Sequence, residues 1–310
     1  MVPASDKLQG LDWGHAWSRV AACVSAVKSG RALYVLLASF AAGGFAMTEV
    51  QQALAAGHER LAIVLGAAAL FIAFYGANAA GLMMMDVAQG RDPRDVVAAL
   101  RDALGVAHRV LVALAVVLMC AGAAGALIVG LFWLCRLPGL GAWLFTLVVP
   151  FSVVVLGLAL VAGTALVGPL AGPAVWAGAS SVTCVRTLGA LLRHRLLEAT
   201  VLSVALGLVT ALVGGALSFV VIAGGRIMAQ LSIWVLGVDV APELFMAGLF
   251  GHSFQLLPAT EVPAAAQAYV NAASVGGGLV FALAVVLPTL VYLRGVCEVF
   301  LLLQRTLHDD

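Results

Sequence analysis

Charge is the scarcest resource in this sequence. Aspartate, glutamate, lysine and arginine make up 10% of the 310 residues, against about 25% in soluble globular domains. A chain this poor in charge cannot dress the surface of a soluble fold of its length. Paired cysteines are missing as well. Cys23, Cys120, Cys135, Cys184 and Cys297 lie far apart with no CxxC, which excludes a disulfide framework and leaves them as small apolar packers. The histidines, at positions 15, 58, 108, 194, 252 and 308, form no HExxH and no ligand-spaced set with cysteine or carboxylate, so no metal site is expected. Gly214–Gly215 and Gly276–Gly278 sit in apolar stretches without a neighbouring lysine. They suit close helix packing and do not form a phosphate loop. No serine–histidine–acid set, nucleotide loop or nucleic-acid patch is present. Neither catalytic residues nor a cofactor is expected, and the protein reads as non-enzymatic.

What the sequence has in abundance is apolar length. Hydrophobic residues reach 63%, and six runs approach the roughly 20 residues that cross a bilayer as a helix. They fall at about 32–50, 61–85, 110–134, 143–168, 199–224 and 275–297. The start, MVPASDKLQGLDWGHAW, has no apolar core of a cleavable signal peptide, so the first span is expected to act as its own signal. Pro150 and the GPLAGP sequence at 168–173 predict a kink and then a break in the fourth span.

Between spans the chain carries amphipathic stretches, and the clearest joins the second span to the third. In DVAQGRDPRDVVAALRDALGVAHRVL, Asp92 and Pro93 predict a helix start. Val96, Val97, Leu100, Ala103, Leu104 and Ala107 follow a helical stripe, with Arg94, Arg101 and His108 on another face. A second stretch runs from Asp12 to Arg31, with Trp13, Trp17, Val20, Val24 and Val27 as its stripe. The third starts at Ser180 and Ser181, which can cap a helix, with Val182, Val185, Leu188 and Leu192 apolar and Arg186 and Arg193 on another side. Segments 13–29, 93–108 and 181–196 are therefore predicted to be helices lying along a membrane surface.

An offset of 88 lays Gly90 on Gly178 and Leu100 on Leu188. The order of elements then reads as three tandem units, about 12–90, 91–178 and 179–310, within a single membrane domain spanning 1–310. The fold class expected is all-α: a polytopic membrane helix bundle of six transmembrane helices in three tandem hairpins with amphipathic cytoplasmic interfacial helices. Placing the tail, both internal amphipathic stretches and the C-terminus on one side collects 13 of the 16 lysines and arginines, leaving Arg60, Arg136 and Arg226 opposite. By the positive-inside rule both termini are cytoplasmic, in an inner (plasma) membrane. The third hairpin has an extended outer loop, 226–274, expected to carry two short helices and to be where a membrane or periplasmic protein partner would bind.

Candidate functional residues are few. Asn78 is the one strongly polar residue midway along a span. It suits an interhelical hydrogen bond, or an ion or proton-linked substrate. Arg294 and Glu298, four apart, suit an internal ion pair. Arg94, Arg101, His108, Arg186, Arg193, His194 and Arg195 gather at one interface, where they would hold anionic lipid headgroups or only set topology.

Hairpins joined by arginine-bearing helices such as GRDPRDVVAALRDALGVAHR and SSVTCVRTLGALLRHRLLEA resemble the membrane domain attached to some bacterial glycerophosphodiester phosphodiesterases. Uncharacterised bacterial six-helix membrane proteins are similar. The likeness covers most of residues 12–300 and lies in layout, with nothing like the soluble catalytic domain. It implies a membrane module without chemistry of its own. Two function classes fit: a protein that organises lipid or a membrane partner, and a small-solute transporter.

Overall fold

The computed structural model describes residues 12–236 and 264–309. Nine α-helices occur among them: α1 (Trp13–Ala22), α2 (Gly30–Ala55), α3 (Glu59–Ala88), α4 (Val96–Leu134), α5 (Gly141–Val161), α6 (Gly168–Trp176), α7 (Ser181–His194), α8 (Leu196–Leu236) and α9 (Ala264–Asp309). A 3-10 turn, Cys23–Lys28, follows α1, and a π-helical segment, Ala162–Val167, joins α5 to α6. No strand occurs among the described residues. Six helical stretches are long and apolar enough to cross a membrane: Gly30–Ala55, Glu59–Ala88, Val96–Leu134, Gly141–Trp176, Leu196–Ser232 and Ala282–Leu307. The protein is a multi-pass membrane helix bundle in composition and element length.

Several elements differ from the sequence-based expectation. The segment 93–108 is not a separate surface helix; it forms the first turns of α4, which runs 39 residues without a break. At 1.5 Å per residue this is about 58 Å, roughly twice a hydrocarbon core. The cap is Asp95, whose side chain accepts from Val97 N, and not Asp92. Residues 91–95 stay outside the helix because Pro93 disfavours a helical residue before it and Asp86 holds Arg94. The fourth span does not break at 168–173. Pro169 has no N–H to return to the carbonyl of Ala165, and the hydroxyl of Ser203 donates to that oxygen at 2.6 Å instead. The π segment absorbs the misfit, and the helix continues to Trp176. The expected outer connection 226–274 also shortens. Residues 226–236 extend α8 and 264–274 begin α9, while ELFMAGLFGHSFQLL lies outside the described residues.

The chain divides into two compact units. One gathers Met1–Cys23, Asn78–Gly207 and Leu293–Asp310; the other gathers Val24–Ala77 and Leu208–Tyr292. In the second unit α2 and the first part of α3 approach closely. A Cβ on Gly43 would touch the Ala69 carbonyl at 3.4 Å, and one on Gly76 would overlap Ser39. In the first unit the core is built from Met83, Met84, Met85, Leu166, Leu170, Leu191, Leu202, Leu206, Phe300 and Leu303, all nearly inaccessible. The last span, Ala282–Leu307, is 61% buried where the others reach 22% at most.

Candidate functional site

Three of the four polar residues buried in the first unit lie on α3 and α9, and the fourth, Ser152, on α5. Among the described residues the buried polar or charged side chains are Asn78, Asp86, Ser152 and Glu298. Burying charge in an apolar bundle is costly unless it is paired, and both carboxylates are. Asp86, two residues from the end of α3, accepts from Arg94 Nε at 2.7 Å and Nη2 at 2.8 Å, with Arg91 at 3.5 Å. Arg94 also reaches Asp102 on α4 at 2.8 Å. The Asp86 hydrogen bond leads the causes that hold the Arg94 guanidinium above its ordinary value, so this cation stays charged throughout. Glu298 pairs with Arg294 one turn earlier, at 2.5 Å, as the spacing predicts, and with Arg19 of α1. Arg294 also donates to the Met84 carbonyl at 3.4 Å. Each carboxylate therefore sits under two arginines: both of those on Asp86 come from the connection that follows α3, and one of those on Glu298 comes from α1.

Asn78 accepts a hydrogen bond from Trp176 Nε1 at 2.9 Å. The indole that donates it lies in a slot of two glycines. A Cβ on Gly81 would come within 2.4 Å of the ring, and one on Gly172 within 2.9 Å. These glycines let α6 approach α3 closely enough for the polar contact to form. Sequence reasoning singled out Asn78 but not its partner, and it missed the reach of Arg19 to a residue 279 positions away. Nothing in local spacing signals either.

The seven cations predicted at the interface separate into two groups. Arg94 and Arg195 are engaged, Arg195 by Glu198 at 2.8 Å. Arg101 and His108 on α4, and Arg186, Arg193 and His194 on α7, are exposed, and among the described residues none forms an ion pair. Their two helices are adjacent, since Ser181 at the start of α7 donates to the Arg109 carbonyl at 3.2 Å. Ser180 caps α7 by accepting from Thr183 N.

Both helices turn the same kind of face inward. On α4 the buried stripe is Ala99, Ala103, Ala107, Val110 and Ala113, and on α7 it is Cys184, Leu188 and Leu191. The stripe predicted for α4 had counted Leu100 and Leu104, which are 40% and 57% exposed; Leu192 on α7 is 42% exposed. Going round each helix at about 100° per residue, the buried stripe gives way to an exposed aliphatic flank. This is Val97, Leu100 and Leu104 on α4, and Val182 and Leu192 on α7. Beyond the flank, roughly opposite the buried stripe, stands a pair of basic residues seven apart: Arg101 with His108, and Arg186 with Arg193. Burial also pushes the Cys184 thiol on the inward face of α7 up to about 11, which makes it unreactive near neutral pH.

No group of histidine, cysteine and carboxylate residues among the described residues is arranged to hold a metal ion. Compared with known proteins, the chain matches no family model, no curated protein and no solved structure.

Proposed function

We propose that this is a non-enzymatic inner-membrane protein that gathers anionic lipid at its cytoplasmic face, with α4 and α7 as the lipid-holding elements and both termini inside. The observation that carries the reading is the repeated order on these helices: buried stripe, exposed aliphatic flank, then unpaired cations. An aliphatic flank beside a cation pair matches a lipid in which acyl chain and phosphate are neighbours. Each arginine near an anionic surface contributes about 1 kcal/mol, so Arg101, Arg186 and Arg193 act together without a shaped pocket, with His108 and His194 beside them. Arg94 and Arg195 drop out of the lipid-holding set because carboxylates already engage them. Asn78, on which a transport reading rests, has its Oδ1 occupied by Trp176.

The test is lipid retention. Arg186→Gln, Arg193→Gln and His194→Gln are combined, and bound phosphatidylglycerol and cardiolipin are measured by mass spectrometry after mild-detergent purification. A reporter fused at Asp310 reads orientation in the same variant. The expected result is loss of bound anionic lipid with the C-terminus still cytoplasmic. Unchanged lipid retention would leave these cations as topological anchors only.

A further inference from the structure

The first helix has two unlike faces. Ala16 and Val20 of α1 are buried, and Arg19 on the same side reaches the buried Glu298 of α9. Bordering this stripe on the side away from Arg19, within about 60° of Val20 at 100° per residue, stand Trp13 and Trp17, four residues apart, 41% and 49% exposed. Neither indole N–H has a protein acceptor among the described residues. An exposed aromatic pair whose ring bodies are apolar and whose N–H groups are unsatisfied matches one environment well: the boundary between acyl chains and headgroups, where indole finds both hydrocarbon and acceptors. The chain places that boundary close by. After the 3-10 turn Cys23–Lys28 and Ser29, the first membrane-spanning helix begins at Gly30.

We propose that α1 lies in the headgroup layer of the bilayer, seated by Trp13 and Trp17 at one edge of its buried stripe, while Arg19 on Glu298 ties the other edge to α9. The occupant of the tryptophan face is lipid, and the contact requires no anionic headgroup. It therefore stands on different residues and different chemistry from the cation pairs of α4 and α7. Failure of either proposal leaves the other intact, since one test reads bound anionic lipid and this one reads indole environment.

The full-length protein is placed in phosphatidylcholine nanodiscs, and its tryptophan emission is compared with that of the variant Trp13→Phe/Trp17→Phe. The difference spectrum isolates the two indoles. It should be blue-shifted, quenched several-fold more by lipid brominated near the headgroup than by lipid brominated near the chain end, and insensitive to aqueous iodide. Phenylalanine keeps the face apolar, and the single variants Trp13→Phe and Trp17→Phe give the same comparison if the double variant unfolds. Emission quenched by iodide would put the face in water. Emission insensitive to iodide and to both lipids would put it under protein, such as a second copy of the chain. Either result overturns the proposal.

Discussion

Arg94 grips Asp86 with a two-point fork, Nε to Oδ2 at 2.7 Å and Nη2 to Oδ1 at 2.8 Å, while its backbone N–H reaches Oδ2 at 3.3 Å. The carboxylate is only 6% exposed, so removing the fork strands a buried charge with only Arg91 at 3.5 Å in reserve. Arg94→Gln is expected to cost about 3 kcal/mol. Arg94→Lys should cost less, because an ammonium keeps the charge but loses the planar fork. Asp86→Asn combined with Arg94→Gln should cost less than the sum of the two. Thermal unfolding followed by tryptophan fluorescence measures all three, and an unaffected Arg94→Gln would show that the fork contributes nothing to stability.

Glu298 offers a comparison within one cluster. Arg294 is 16% exposed at its side chain and Arg19 is 27% exposed. Glu298→Gln leaves both without their carboxylate and should destabilise by about 3 kcal/mol. Arg19→Gln should do markedly less, since Arg294 still neutralises Glu298. The same melting assay ranks them, and equal losses would contradict the ordering.

Two glycines in comparable helical settings should respond oppositely to alanine. Gly81 faces the Trp176 ring, where a methyl would arrive at 2.4 Å, whereas nothing lies within 4 Å of a Cβ on Gly105. Gly81→Ala is expected to cost about 1–3 kcal/mol through overpacking. Gly105→Ala should be neutral or stabilise by roughly 0.5–1 kcal/mol through helix propensity. Melting temperatures moving in the same direction by similar amounts would refute the slot around Trp176.

The inward face of α4 is testable in the same manner. Ala103→Leu, at a fully buried site, should lower the yield of folded protein far more than Leu104→Ala at a position 57% exposed. A larger loss from Leu104→Ala would restore the leucine stripe as the packing face.

Thiol chemistry gives a pH-dependent expectation. Burial leads the causes that push Cys23 and Cys184 from an ordinary 9.0 to about 11. Both should resist maleimide at neutral pH in the folded protein and react after denaturation. The folded chain keeps these protons while the unfolded chain releases them from pH 9 upward. Stability from these groups is therefore whole below 9 and declines between about 9 and 11. Rapid labelling of either cysteine in the native state, or stability rising with pH across that window, would contradict their burial.

Much of this protein was legible in its letters. Six apolar runs of bilayer length need no tertiary partner to be recognised, because the bilayer imposes the length and the backbone must satisfy itself within each helix. The Arg294–Glu298 pair and the Ser180 cap were readable for the same reason: both depend on contacts within four residues. Helix ends were less so. Asp92 has the chemistry of a cap, but the side chain of Asp86 holds Arg94 and moves the start of α4 to Asp95. The break expected at GPLAGP did not occur because a hydroxyl 38 residues away, on Ser203, satisfies the freed carbonyl.

Which face of a helix meets protein was decided by the tertiary structure alone. In water the largest apolar side chains would be driven inward, and the stripes of α1, α4 and α7 were read on that basis. In a membrane, lipid is as apolar as leucine, so no such drive exists and close approach selects small residues. Ala16 on α1 and Ala99, Ala103 and Ala107 on α4 accordingly turn inward, while Trp13, Trp17, Leu100 and Leu104 turn out; Val20 on α1 and Leu188 on α7 are buried as their stripes predict. The sequence by itself determined how many helices are long and apolar enough to cross a bilayer, because that depends on local composition. Only the tertiary structure decided that Arg19 meets Glu298 and that Trp176 meets Asn78, because those contacts depend on how closely helices distant in sequence can approach.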